Sequence, residues 1–179
     1  RIPMWHGGDC LVVYSSMLSP DGHWLYLASR ADPGIAMVHL GAHADPDYVD
    51  PATDITYLNV SGQPQFQVVQ AALAPDGSTL YWISNGENQV RVFAINPANG
   101  ADLTEQAPIP LPGSDPEPWG IAVSPDGGTL YVGARATGVV YVIDLALARA
   151  GAPHVASVAL PWGASQEDLV QLSEAAAGS

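Results

Sequence analysis

Apolar residues along the chain fall into short runs separated by glycine, proline, asparagine and aspartate. Runs of this kind, rich in Val, Ile, Leu and Tyr, predict strands rather than helices. One pattern occurs three times. It reads Met17-Leu18-Ser19-Pro20-Asp21-Gly22-His23-Trp24-Leu25-Tyr26-Leu27, then Ala72-Leu73-Ala74-Pro75-Asp76-Gly77-Ser78-Thr79-Leu80-Tyr81-Trp82, then Ala122-Val123-Ser124-Pro125-Asp126-Gly127-Gly128-Thr129-Leu130-Tyr131-Val132. The prolines are 55 and 50 residues apart. A period of this size, carried by short apolar runs and tight turns, predicts a radial or stacked array.

Aligned on the third copy, each repeat resolves into four strands. They are predicted at 119–124, 129–134, 139–144 and 154–160 in the third copy, and at 66–74, 79–84, 89–96 and 106–111 in the second. In the first they fall at 10–18, 24–29, 35–40 and 54–60. The repeats therefore occupy about 10–60, 66–111 and 119–160 of a single domain, 1–179. Residues 161–179 read as a tail or as the start of a further unit.

The turn itself has a physical logic. Pro20, Pro75 and Pro125 preset φ for the second position of a type I turn. Asp21, Asp76 and Asp126 take the third position and bond nearby backbone. Gly22, Gly77 and Gly127 supply the positive φ that follows. Flanking apolar strands make each turn a hairpin connection. Helix is predicted only in small pieces. Asp144 can cap one or two turns that stop at Gly151. The stretch 165–172 opens on a cap-like Ser165 with Asp168 three residues on, or begins another strand unit.

Two stretches carry a family resemblance. They are Pro118-Trp119-Gly120-Ile121-Ala122-Val123-Ser124-Pro125-Asp126-Gly127 with the Leu130-Tyr131-Val132 that follows, and Val140-Tyr141-Val142-Ile143-Asp144-Leu145. They resemble the YVTN family of β-propellers, and the likeness covers most of residues 10–160. The first copy departs from it in a long acidic connection from Gly41 to Thr53. The resemblance implies an all-β fold of about three four-stranded antiparallel blades, and secreted or periplasmic placement.

Propellers close with about four to eight blades. Three blades form an incomplete ring and leave apolar faces open. Further blades are expected from a second copy, another chain or the same precursor. The competing architecture is a closed β-sandwich with three internal hairpin repeats.

Composition narrows the partners. Apolar residues make up 47% of the chain, enough for a core. Charged residues are 13%, against a typical share of about 25%. Acids number 18 and bases 5, all arginine, for a net charge of −13. Phosphate binding needs clustered positive charge, so nucleic acid is a poor partner. A basic protein or a metal cation is favoured electrostatically, while solubility alone also accounts for the imbalance. The absence of lysine excludes a Walker loop and a lysine Schiff base. No apolar run approaches the roughly 18 residues of a membrane helix. Cys10 stands alone, so no disulfide forms within the chain. The opening at Arg1 without a signal peptide fits a processed chain or a piece of one.

Few residues suggest chemistry. His39, His43, Asp45 and Asp47, with Asp50 beyond, are the candidate donors for a divalent metal. Pro46 and Pro51 leave no helix to align them, and a solvated acidic loop capping a blade is the competing reading. Trp5, His6, Asp9 and Cys10 cluster near the start, either as a thiol with a base or as a strand completing a blade. Trp82, Trp119 and Trp162, with Tyr26, Tyr81, Tyr131 and Tyr141, recur at blade positions and are expected in the core rather than on a binding face. No GxSxG elbow occurs.

The function expected is binding or scaffolding in an extracytoplasmic assembly, with no cofactor and no catalytic residue assigned. The alternative is part of a propeller enzyme of the amine dehydrogenase, haem nitrite reductase or lactonase type. That class places ligands on the loops at 62–65 and 113–118, which hold glutamine, Asp115 and Glu117 but no histidine.

Overall fold

The computed structural model describes residues 5–6, 9–10, 13–29, 34–43, 45, 48–50, 52–59, 68–84, 86–113, 117–152 and 155–159. Antiparallel sheet is their dominant regular structure, joined by turns and one short helix. A short ladder pairs β1 (Trp5–His6) with β2 (Asp9–Cys10). The first large sheet is β3 (Val13–Leu18), β4 (Trp24–Ser29), β5 (Gly34–His39) and β6 (Ile55–Asn59), in that order. The second is β7 (Val68–Leu73), β8 (Thr79–Ser84), β9 (Gln89–Asn96) and β10 (Asn99–Glu105), with β11 (Ile109–Pro110) pairing the other half of β9. The third is β12 (Pro118–Val123), β13 (Thr129–Ala134), β14 (Val139–Asp144) and β15 (Val155–Ala159).

Each sheet is a meander of neighbouring strands, so no crossover is needed. The inner strands β3, β7 and β12 lie side by side, with β7 between the other two. Ser15 Oγ donates to the Ala71 carbonyl at 3.3 Å, and the Ile121 amide donates to Gln70 Oε1 at 3.0 Å. The sheets therefore fan outward from their first strands.

Apolar residues on both faces of each sheet fill the spaces between them. Tyr26, Ala28, Ile35 and Met37 meet Ala71, Leu80, Trp82 and Phe93 between the first and second sheets. Tyr81, Ile83 and Val90 meet Ile121, Leu130, Val132 and Ile143 between the second and third. Burying a residue of this size stabilises by about 1.5–3 kcal/mol, so these two seams hold the array together.

One prediction shifts. The fourth strand of the second repeat begins at Asn99, ahead of the stretch 106–111 expected for it. Asn96 and Asn99 cause the difference. Their side-chain oxygens accept from the amides of Ala98 and Ala101 and close a tight hairpin straight after β9. The chain after β14 forms α1 (Leu145–Arg149). Asp144 Oδ1 accepts from the Leu147 amide at 2.9 Å, and Gly151 at φ 68° ends the helix. The stretches around 30–33, 60–67 and 161–179, including Ser165, Asp168 and Trp162, lie outside the described residues.

Candidate functional site

Strand alternation sorts the connections into two ends. The three Pro-Asp-Gly turns share one end with the links between third and fourth strands. In the first turn the Gly22 amide donates to the Ser19 carbonyl at 2.9 Å. The matching bonds, Gly77 to Ala74 and Gly127 to Ser124, are each 2.8 Å. The three glycines have φ of 76°, 74° and 72°.

The turn end is strongly acidic. Asp21, Asp45, Asp50, Asp54, Asp76, Asp102, Asp126 and Asp144 all lie there. Most of them bind backbone or a neighbouring hydroxyl. Asp21 Oδ1 accepts from Ser19 Oγ and the His23 amide, and this holds its carboxyl down at about 2. Asp76 is lowered by the Ser78 amide and hydroxyl, and Asp126 by the Ser124 hydroxyl and the Gly128 amide. The second copy carries Ala74 where the others carry Ser19 and Ser124, and its Ser78 hydroxyl supplies the missing donor.

His39 and His43 do different jobs. The His39 ring stacks on Trp24 with centroids 4.5 Å apart and planes 11° apart. His43 Nε2 pairs with Asp54 Oδ2 at 2.8 Å, and its ring meets Tyr48 edge-on. Asp54 is buried. Its carboxyl is lowered first by the Asp50 amide, with the Thr53 hydroxyl and His43 adding to the effect. Among the described residues no three His, Cys, Asp or Glu side chains stand close enough to share a metal. Asp47 lies outside the described residues, as do the side chains of Trp5, His6, Asp9 and Cys10. The connection containing Asp45 and Asp50 rests on the first sheet. There Val49 packs beside Ile55 and Tyr57 against Leu27, Ala36 and Val38.

At this end the described residues line a cleft at each seam. The two clefts are related by the repeat. Tyr26 borders the first and Tyr81 the second, six residues after their prolines. The first cleft holds about 220 Å³ and the second about 370 Å³. Burial raises the Tyr26 hydroxyl to about 12 and pushes Tyr81 up as well. Tyr26 donates to the Gly100 carbonyl at 3.1 Å, while Tyr81 accepts from the Arg149 guanidinium at 3.2 Å. Tyr131, Tyr141 and Trp82 are buried too, so these five recurrent aromatics are core residues, whereas Trp119 is half-buried and Trp162 lies outside the described residues.

The opposite end carries its own charges. Glu87 is buried and accepts from Ser84 Oγ at 2.8 Å and from both Nε and Nη2 of Arg91. Burial pushes its carboxyl up, but these bonds outweigh it and the net shift is downward. Arg91 also reaches Glu105 at 2.9 Å. Arg135 lies over the Trp119 ring, 5.0 Å from its centroid, and its amide donates to Glu117, which sits at φ 43°. Sequence reasoning singled out neither this network nor Arg149.

No family profile matches the chain. No curated protein matches it. Solved structures do. The RRP9 WD40 repeats superpose with a TM-score of 0.65 at 13% identity, covering 91% of this chain and 42% of that one. The periplasmic gluconolactonase of Pseudomonas aeruginosa gives 0.59 at 22%, covering 86% and 43%. The Kuenenia stuttgartiensis hydrazine synthase gives 0.58 at 25%, covering 91% and 40%. The fold is that of a β-propeller. Each large sheet is a blade, the inner strands face the axis, and the likeness does not single out the YVTN family. The chain spans about 40% of the length of the solved propellers it resembles.

Proposed function

We propose that the chain supplies three blades of a β-propeller ring closed by further blades, and that the ring is a non-catalytic protein-binding scaffold outside the cytoplasm. Leu18 carries the reading. It pairs with Leu25 as Leu73 pairs with Leu80 and Val123 with Leu130. Leu73 and Val123 pack against the preceding blade's seam, whereas Leu18 is 55% exposed. The first blade thus keeps an apolar position open where its two successors partly bury theirs. Val49 joins Leu25, Ile55 and Tyr57 in packing on Leu27, Ala36 and Val38. Extracytoplasmic placement draws on the family resemblance and on the periplasmic enzyme among the similar structures.

The test is sedimentation of the chain and of Leu18→Glu, with its native-source complex alongside. The reading expects the chain in a larger assembly that Leu18→Glu weakens, while Val49→Ala lowers stability without releasing partners. A folded monomer in the native extract would overturn it.

A further inference from the structure

The two turn-end clefts differ because of two positions in the repeat. Trp24 and His39 are cross-strand partners in the first blade, and Thr79 and Ala94 hold the same positions in the second. In the first cleft the Trp24 indole, stacked on His39, takes up part of the space. In the second a hydroxyl and a methyl leave it open, with Val92, Ile109, Leu145 and Ala148 as apolar walls. The helix α1 forms one rim, and among the described residues the other two blades have no counterpart of it.

Arg149 stands on that rim. It is exposed, and its guanidinium donates to the Tyr81 hydroxyl deep in the cleft. No carboxylate lies within 4.0 Å of it among the described residues, although eight aspartates share this end. Asp76 feels its charge without contacting it. A guanidinium is a planar fork suited to a carboxylate, and it gains most where an apolar wall excludes water. Ligand clefts of about 300–1,000 Å³ with apolar walls and a few polar groups are the usual form of a small-molecule site, and this one falls in that range.

We propose that the cleft between the second and third blades binds a small organic acid, with its apolar body between Val92 and Leu145 and its carboxylate on Arg149 and the Tyr81 hydroxyl. The site is independent of how the ring is closed. The probe is 3-phenylpropionate, titrated into the full chain by calorimetry or ligand-observed NMR, with 3-phenylpropanol as the uncharged counterpart. Saturable binding is expected, with the alcohol weaker. Arg149→Gln should weaken the acid by about tenfold or more, since a hydrogen bond to a charged group is lost. Asp76→Asn should strengthen it by removing a nearby like charge. The double variant Thr79→Trp, Ala94→His copies the first cleft and should abolish binding. Arg149→Gln lies on an exposed helix, so it stands as the test if the double variant does not fold. Absence of saturable binding at millimolar acid, equal binding of acid and alcohol, or unchanged affinity in Arg149→Gln would each overturn the proposal.

Discussion

The Tyr26 hydroxyl crosses the first seam to the Gly100 carbonyl, and Gly100 lies so close that an added Cβ would stand 2.5 Å from the Trp24 ring. The outer strand of the second blade is thus seated against the first blade by a hydrogen bond and by the absence of a side chain. Tyr26→Phe should lower stability by about 1 kcal/mol, the usual cost of one buried hydrogen bond. Gly100→Ala should cost more, about 2–3 kcal/mol, because the indole is a rigid ring stacked on His39 and has little freedom to withdraw. Urea midpoints rank the two. The reverse order would contradict this packing.

Successive turns touch. A Cβ on Gly77 would meet Pro20 Cδ at 2.9 Å, whereas one on Gly127 would meet Pro75 Cδ at 3.7 Å. Both glycines sit at positive φ, so each alanine variant should lose about 1 kcal/mol from the backbone alone. Gly77→Ala should fall further because it also collides with the neighbouring turn. Melting temperatures check this, and equal losses would argue against contact between the turns.

The turn carboxylates predict acid sensitivity. Asp21, Asp76 and Asp126 titrate lower in the fold than in the open chain. Protonation therefore favours unfolding. Their contribution is complete above about pH 4, the ordinary aspartate value, and is lost as pH falls below it, towards about 2 in the case of Asp21. Asp21→Asn and Asp126→Asn keep an acceptor oxygen but cannot titrate, so the double variant should show a shallower loss of stability across that window. An unchanged slope would remove the turns as its source.

Much of the fold was legible because its signals are local. The second and third strands of every repeat follow a turn whose residues fix its type, and Leu-Tyr pairs at constant offset mark the seams. The fourth strand of the second blade was not. Asn99–Glu105 is a half-exposed outer strand with polar residues such as Asp102 and Thr104, and apolar patterning draws the eye to Ile109–Leu111 instead. The second cleft was hidden for another reason. It depends on Thr79 and Ala94 being small where Trp24 and His39 are large, and on Arg149 returning from a helix 68 residues after Tyr81. Neither relation shows until the blades are superposed.

The acidic connection makes a metal prediction. If His39, His43, Asp45 and Asp47 held a divalent ion, a chelator would lower the melting temperature, because a ligand of the folded state adds RT ln(1 + [L]/Kd). His43 is engaged with Asp54 and His39 with Trp24, so chelation should leave the transition unchanged. A drop of several degrees, restored by zinc or calcium, would reverse this assignment.

Ring closure is tested most directly by imaging the assembly from its native source. Electron-microscopy averages should show a closed propeller of about four to eight blades. This chain's three should be contiguous in it, and a further blade should lie against Leu18. A particle of three sheets alone, with Leu18 open to solvent, would contradict the account.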